Sequence, residues 1–308
     1  SFGGVPSMTA TSGPGLALMT EAMGLAVASE TPAVVVNVMR GGPSTGIPTK
    51  SEQVDLNIAL NGLHGDAPHL VLGALDHADC ILTTEWAVRL AEALQTVAIV
   101  LTDQLLAQST VLISEPVYEL PEISGRVVAE PVENYQRYAI TENGVSPMAI
   151  PGTASSAYVA DGLEHCESGK PSTAAADHLA QLDKRSRKIE NFDYGGHWAD
   201  VRGEGDVAIL TWGSTTAVVR EAAKRLEAQG FTLKVIALRL LLPASPDKLE
   251  SELEGVEKVL IVEQSHSGQF HRYLRAYYDI AADTHVLARP GPLPITPAEI
   301  VGQFENWS

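Results

Sequence analysis

The run AVVVNVM at residues 33–39 constrains this chain more than any other stretch. Its β-branched side chains follow one another without polar alternation, apart from Asn37. Such a strand is buried on both faces, so the fold needs a covering layer above and below its sheet. Comparable runs recur: HLVLGA, VAIVLTD, DVAILTW, LKVIAL, KVLIVEQ and THVLA. Helical spacing fills the intervals. A helix follows the first Gly-Pro loop from Gly15 to Ser29, and Ser51 is placed to cap another that runs to about Leu63. Asp76 caps a longer helix whose core face is read as Ile81, Trp86, Leu90 and Leu94. Further helices are predicted over Ser214 to Gln229, stopped by Gly230, over Ala244 to Leu253, over Gln269 to Tyr278, and from Thr296 onward. Strand and helix in alternation predict α/β architecture with parallel sheets covered on both faces.

The alternation breaks once. Between about Leu105 and Asp200 the chain carries many prolines, short runs such as GRVVAEP, and the charged segment QLDKRSRKIENF. The expected organisation is one α/β domain over 1–112, an extended linker with hairpins and one helix (Ser172 to Ile189) over 113–203, and a second α/β domain over 204–308. A connector this long wraps its neighbours or carries function. The length of 308 residues accommodates two such domains.

Charge excludes several partners. The formal net charge is −17, which repels nucleic-acid phosphates and anionic lipid, so neither nucleic acid nor membrane is expected as a partner. An anionic substrate must then be held by cations placed locally against the overall field. Cys80 and Cys166 are the only cysteines. They form no CxxC and cannot hold an iron–sulfur cluster or a tetrahedral zinc, and a reducing, cytoplasmic setting suits them. No apolar run is long enough to span a bilayer, and no signal segment opens the chain. It begins on SFGG without a methionine, which points to a piece of something longer.

Two loops carry the chemistry. SGPG at Ser12, Gly13, Pro14 and Gly15 opens a helix, whose free N–H groups can face an anion, although by itself a plain N-terminal turn is the favoured explanation. It lacks the pattern of a dinucleotide fingerprint or of a triphosphate loop. RGGPSTGIPTK is richer. Arg40 follows the end of a buried parallel strand, where ligands of such sheets collect. Gly41 and Gly42 allow the backbone to bend, Ser44, Thr45 and Thr49 offer hydroxyls, and Lys50 adds a second cation. A guanidinium matches a carboxylate through two parallel hydrogen bonds, and a lysine suits a more distal charge. His64 with Asp66 in HGDAP, and His266 with Gln269 in EQSHSGQ, are secondary candidates for which structural roles come first. DKRSRK reads as a solvated helix face or a subunit contact.

Taken in order and spacing, TATSGPGLALMTEAMGLA, the strand, RGGPSTGIPTKSEQVDL and HGDAP resemble the alpha subunit of the 2-oxoacid:ferredoxin oxidoreductases, closest to the 2-oxoglutarate branch. EQSHSGQ and LPITPAEI are similar to that family's second domain. The resemblance implies a pyrimidine-binding thiamine diphosphate domain, incomplete at its N-terminus, followed by a domain like the C-terminal domain of transketolase. It implies oxidative decarboxylation of a 2-oxoacid to an acyl-coenzyme A with electrons passed to ferredoxin. The beta subunit would supply the diphosphate, Mg²⁺ and iron–sulfur sites, in a dimer of heterodimers. Arg40 would hold the substrate carboxylate and act catalytically, Thr45, Thr49 and Lys50 would help bind the substrate, and Ser12 to Gly15 would approach the cofactor. The family's YPITP-like loop and its cofactor-activating glutamate lie upstream of TATSGPG and do not occur here. The same chemistry on pyruvate or a branched-chain 2-oxoacid, or a non-catalytic docking or scaffold fragment, are the competing readings.

Overall fold

The computed structural model describes residues 1–113 and 122–307. The part of the expected linker at 114–121 lies outside the described residues. The first half runs β1 (Met8–Thr11), α1 (Gly13–Ala28), β2 (Ala33–Met39), α2 (Leu56–Asn61), β3 (Leu70–Gly73), α3 (His77–Leu94), β4 (Val97–Asp103) and α4 (Gln104–Gln108). After the connecting segment come α5 (Ala175–Glu190), β5 (Ala199–Arg202), β6 (Val207–Trp212), α6 (Thr215–Ala228), β7 (Lys234–Leu238), β8 (Leu240–Leu242), α7 (Pro246–Glu252), β9 (Lys258–Glu263), α8 (Gln269–Tyr277), β10 (Asp283–Ala288) and α9 (Pro297–Trp307).

Two five-stranded sheets result, ordered β1-β2-β4-β3-β8 and β10-β9-β6-β7-β5. Each is parallel except for one antiparallel edge strand, β8 in the first and β5 in the second. β2 lies between β1 and β4, and α1 and α3 pack against it, so the successive side chains Val34 and Val35, on opposite faces, are both buried. One continuous core joins Leu70, Leu72, Trp86, Ile99 and Leu240 of the first sheet and its helices to Trp212, Leu238 and Phe270 of the second. A smaller cluster under α6 and α9 closes the far face of the second sheet.

Three sequence expectations are corrected. The helix predicted from Ser51 begins only at Leu56. Residues 51–54 are extended because their backbone groups are taken by the second half of the chain, as described below. Ile81 is 44% exposed while Trp86, Leu90 and Leu94 are buried. Five residues carry Ile81 about 140° around the helix from Trp86, off the core face. The third correction is DKRSRK. α5 forms, capped early by no side chain and rich in charge, but Lys184, Arg185 and Lys188 are buried rather than solvated.

Arg185 pairs with Glu164, while the partner of Lys184 and Lys188 is Glu30, which follows α1 and is fully buried. Lys184 Nζ donates to its Oε1 at 2.6 Å and Lys188 Nζ to its Oε2 at 2.9 Å. Lys188 also donates to the Gln95 carbonyl, and Arg137 to the Glu30 carbonyl at 2.7 Å. Burial works against ionisation of Glu30, but Lys188, Lys184 and Arg137 together outweigh it and hold the carboxyl well below its usual range. Burial, against the pull of Glu30, pushes Lys184 down to about 8. One short antiparallel turn closes in the described part of the linker, where His165 pairs with Pro171 and Cys166 N donates to the Lys170 carbonyl at 3.0 Å. Val128 and Met148 make only an isolated parallel bridge, since Pro131, Pro147 and Pro151 withhold the N–H donors a ladder needs. Charge, not sheet pairing, fastens this segment to the first sheet.

Candidate active site

The site lies at the carboxyl end of β2. Arg40 follows the strand directly, and the chain then closes a tight loop on itself. Ile47 N donates to the Gly41 carbonyl at 2.7 Å and Gly41 N to the Lys50 carbonyl at 3.0 Å. Gly46 sits at φ +50°, and a Cβ there would fall 1.7 Å from the Gly41 oxygen, so only glycine closes this turn. Ser44 is held at φ +55°, an uncommon state for a residue with a side chain.

A cleft of about 230 Å³ opens between this loop and the start of α1, lined by Gly13, Pro14, Ala17, Arg40, Ser44 and Asp55 among others. Arg40 Nε is buried and has no hydrogen-bond partner. Opposite it stands Asp55, whose Oδ2 accepts from Asn37 Nδ2 at 2.9 Å. Burial raises the Asp55 carboxyl above its ordinary value, and the Asn37 hydrogen bond and the Arg40 charge only partly offset that rise. A Cβ on Gly13 would come within 2.8 Å of both Asp55 oxygens, so the bare glycine keeps the cleft open at this point.

The structure therefore brings together Gly13, Pro14 and Arg40. Ser12 and Gly15 flank the cleft at the head of α1, where Ser12 makes no side-chain cap. Thr45 is exposed on the loop. Thr49 and Lys50 face another cleft, of about 240 Å³, with Gln104, Gln108, Pro292 and Pro294. The Lys50 ammonium has no ion pair among the described residues. His64 and Asp66 are exposed and share a third cleft with His178 and Arg185, away from Arg40. His266 is exposed, while Gln269 reaches across to the first half of the chain. Asp55, Asn37 and Gln53 are the site residues that sequence reasoning did not single out. Asn37 had a signal, being the lone polar residue of the most apolar strand, and Asp55 lay inside the quoted motif. Among the described residues, no group of three or more His, Cys, Asp or Glu could hold a metal ion, and no helix is long and apolar enough to cross a membrane.

Residues 1–184 match the family described as pyruvate flavodoxin/ferredoxin oxidoreductase, thiamine diphosphate-binding. Residues 196–272 match the transketolase C-terminal domain. The first match covers more than half of the chain.

The chain belongs to the 2-oxoacid:ferredoxin oxidoreductase alpha-subunit family.

Among these oxidoreductases it is 38% identical to 2-oxoacid:ferredoxin oxidoreductase 2, subunit alpha, of Aeropyrum pernix, over 98% of this chain and 48% of that protein. It is 32% identical to the 2-oxoglutarate synthase subunit KorA of Archaeoglobus fulgidus, over 86% of this chain and 70% of that one. The 2-oxoglutarate:ferredoxin oxidoreductase of Magnetococcus marinus, solved with 2-oxoglutarate, coenzyme A and succinyl-CoA bound, superposes with a TM-score of 0.90 at 42% identity. That match covers 99% of this chain and 54% of the other. The chain thus spans about half the length of several of the oxidoreductase chains it resembles.

Proposed function

We propose that this chain is the part of a 2-oxoacid:ferredoxin oxidoreductase that grips the substrate carboxylate, with Arg40 as the gripping residue and 2-oxoglutarate as the substrate. The observation that carries the reading is the buried, unpartnered Nε of Arg40 in a cleft at a strand's carboxyl end. The bound ligands of the Magnetococcus enzyme support 2-oxoglutarate over pyruvate or a branched-chain oxoacid.

The residues present fit one end of thiamine diphosphate. Pro14 and Ala17 offer an apolar wall and Gly13 an open floor, suited to an uncharged ring, with Ser12 and Gly15 beside it. No cluster of cations or metal ligands in the cleft suits a diphosphate, so that end, Mg²⁺ and the iron–sulfur cluster are assigned to the beta subunit. When bound, the cofactor would supply the nucleophilic carbon for addition to the oxoacid carbonyl. This chain's own contribution is orientation. Arg40 fixes the carboxylate through paired charge-assisted hydrogen bonds, and the apolar wall keeps water from competing for it. Asp55, whose carboxyl burial raises above its ordinary value, is held beside Arg40 by its hydrogen bond from Asn37. Thr45, Thr49 and Lys50 are assigned to the substrate's distal group, Lys50 because its charge is unspent. Coenzyme A and ferredoxin complete the reaction in the assembled enzyme, a dimer of heterodimers, and 1–112, 113–203 and 204–308 are the proposed domain limits.

Steady-state kinetics of Arg40→Ala in the assembled alpha–beta enzyme test this. Loss of one member of a desolvated charged pair costs on the order of 3–5 kcal/mol, roughly a hundred- to several-thousand-fold in catalytic efficiency. Arg40→Lys should recover only part, because an ammonium lacks the planar fork. A folded Arg40→Ala enzyme within about threefold of wild type overturns the proposal.

A further inference from the structure

A set of hydrogen bonds ties the second half of the chain to the short segment that delivers Asp55 to the cleft. Gln53 and Gln264 face each other reciprocally. Gln53 N donates to the Gln264 carbonyl at 2.8 Å, and Gln264 N to Gln53 Oε1 at 2.7 Å. Gln53 Nε2 reaches the Trp212 carbonyl at the end of β6, at 2.7 Å. Gln264 Nε2 donates to the Ser51 carbonyl at 3.0 Å. Gln269, the first residue of α8, brackets Asp55 from both sides. Its Nε2 donates to the Val54 carbonyl at 2.8 Å, and its Oε1 accepts from Asn57 N at 2.9 Å.

Gln53 is fully buried and Gln264 nearly so, so water does not compete for these bonds. The segment they hold has no regular structure of its own before Leu56. Much of its frame is supplied by the other half of the molecule. Asp55 in turn hydrogen-bonds Asn37 and stands beside Arg40.

We infer that Gln269, seconded by the Gln53–Gln264 pair, is a positioning residue through which the second domain sets the Asp55 carboxyl and hence the carboxylate-binding geometry at Arg40. The inference rests on the reading of Arg40 as the carboxylate grip. An amide side chain suits the task because it donates and accepts at once, fixing the carbonyl before Asp55 and the N–H after it with one group.

The test uses the assembled alpha–beta enzyme carrying Gln269→Ala or Gln269→Glu, with Arg40→Ala alongside. Two readouts are taken: kinetics with 2-oxoglutarate, and hydrogen exchange by mass spectrometry. Gln269→Ala should raise KM about tenfold with kcat within about twofold, the size expected for two lost hydrogen bonds. Gln269→Glu keeps the acceptor for Asn57 N, loses the donor to Val54, and should fall between. Exchange in peptides spanning 40–62 should quicken while that in β4 stays unchanged. A KM unchanged in both Gln269 variants, in an enzyme that Arg40→Ala cripples, overturns the inference. So does exchange that quickens equally in β4, which would mark Gln269 as general scaffolding. If Arg40→Ala is silent, the carboxylate reading falls by itself, and the exchange pattern still decides whether Gln269 sets the segment.

Discussion

Glu30 is one carboxylate facing three cations in a space without water, and this imbalance makes it the most consequential single residue outside the cleft. Replacing it with glutamine keeps the shape but leaves Lys184, Lys188 and Arg137 without a counter-charge. Glu30→Gln should therefore lower unfolding stability by about 3–5 kcal/mol, measured by urea denaturation near neutral pH. The pH dependence adds a sign. The folded carboxyl is held below its usual 4.5, so its contribution is complete above that value and is lost as pH falls beneath it. Wild type should lose stability through this acid range faster than Glu30→Gln. Lys184 acts at the other end. Its pKa is about 8 when folded against 10.5 in an exposed lysine, so the unfolded chain binds the extra proton between these values and stability rises with pH across them. Parallel acid branches for the two proteins, with equal stability at pH 7, would deny Glu30 this role.

At the scale of elements, β8 and α5 carry the main lessons. β8 belongs by sequence to the second half but pairs with β3 of the first sheet, Leu240 opposite Leu72 and Leu242 opposite Val71. Leu240 is fully buried. Leu240→Ala should cost about 2–5 kcal/mol, and the loss should appear in the unfolding of both halves together, followed by tryptophan fluorescence and far-ultraviolet circular dichroism. Two separated transitions in the wild type would show that the sheets stand apart. The long apolar runs and their helices were legible because each carries its own period. LLL after LKVIAL has no period to read, and its partner lies over 160 residues away. α5 was legible as a helix but not as a buried one, because Lys184 and Lys188 meet a carboxylate contributed by a residue more than 150 positions earlier. In the site, Arg40 announced itself through its loop. Asp55 did not, because the hydrogen bonds that fix the segment before it come from the far half of the chain.

At the scale of the whole molecule, two cysteines are too few to ligate an iron–sulfur cluster within these residues. With thiamine diphosphate and Mg²⁺ but no second subunit, the 308-residue chain should show no oxoacid-dependent reduction of a viologen dye. Sustained turnover by this chain alone would overturn the division of labour between subunits proposed above.

The crossing of β8 also sets a rule for anyone who would recombine these halves. Cutting the chain in the connector and grafting on a foreign second half would strip β3 of its neighbour. Four consecutive buried residues, Leu70 to Gly73, would then line a bare sheet margin, the kind of edge that recruits other chains into aggregates. The two halves are separate in architecture but not interchangeable as cassettes, because the strand that closes the first sheet's edge is supplied by the second half.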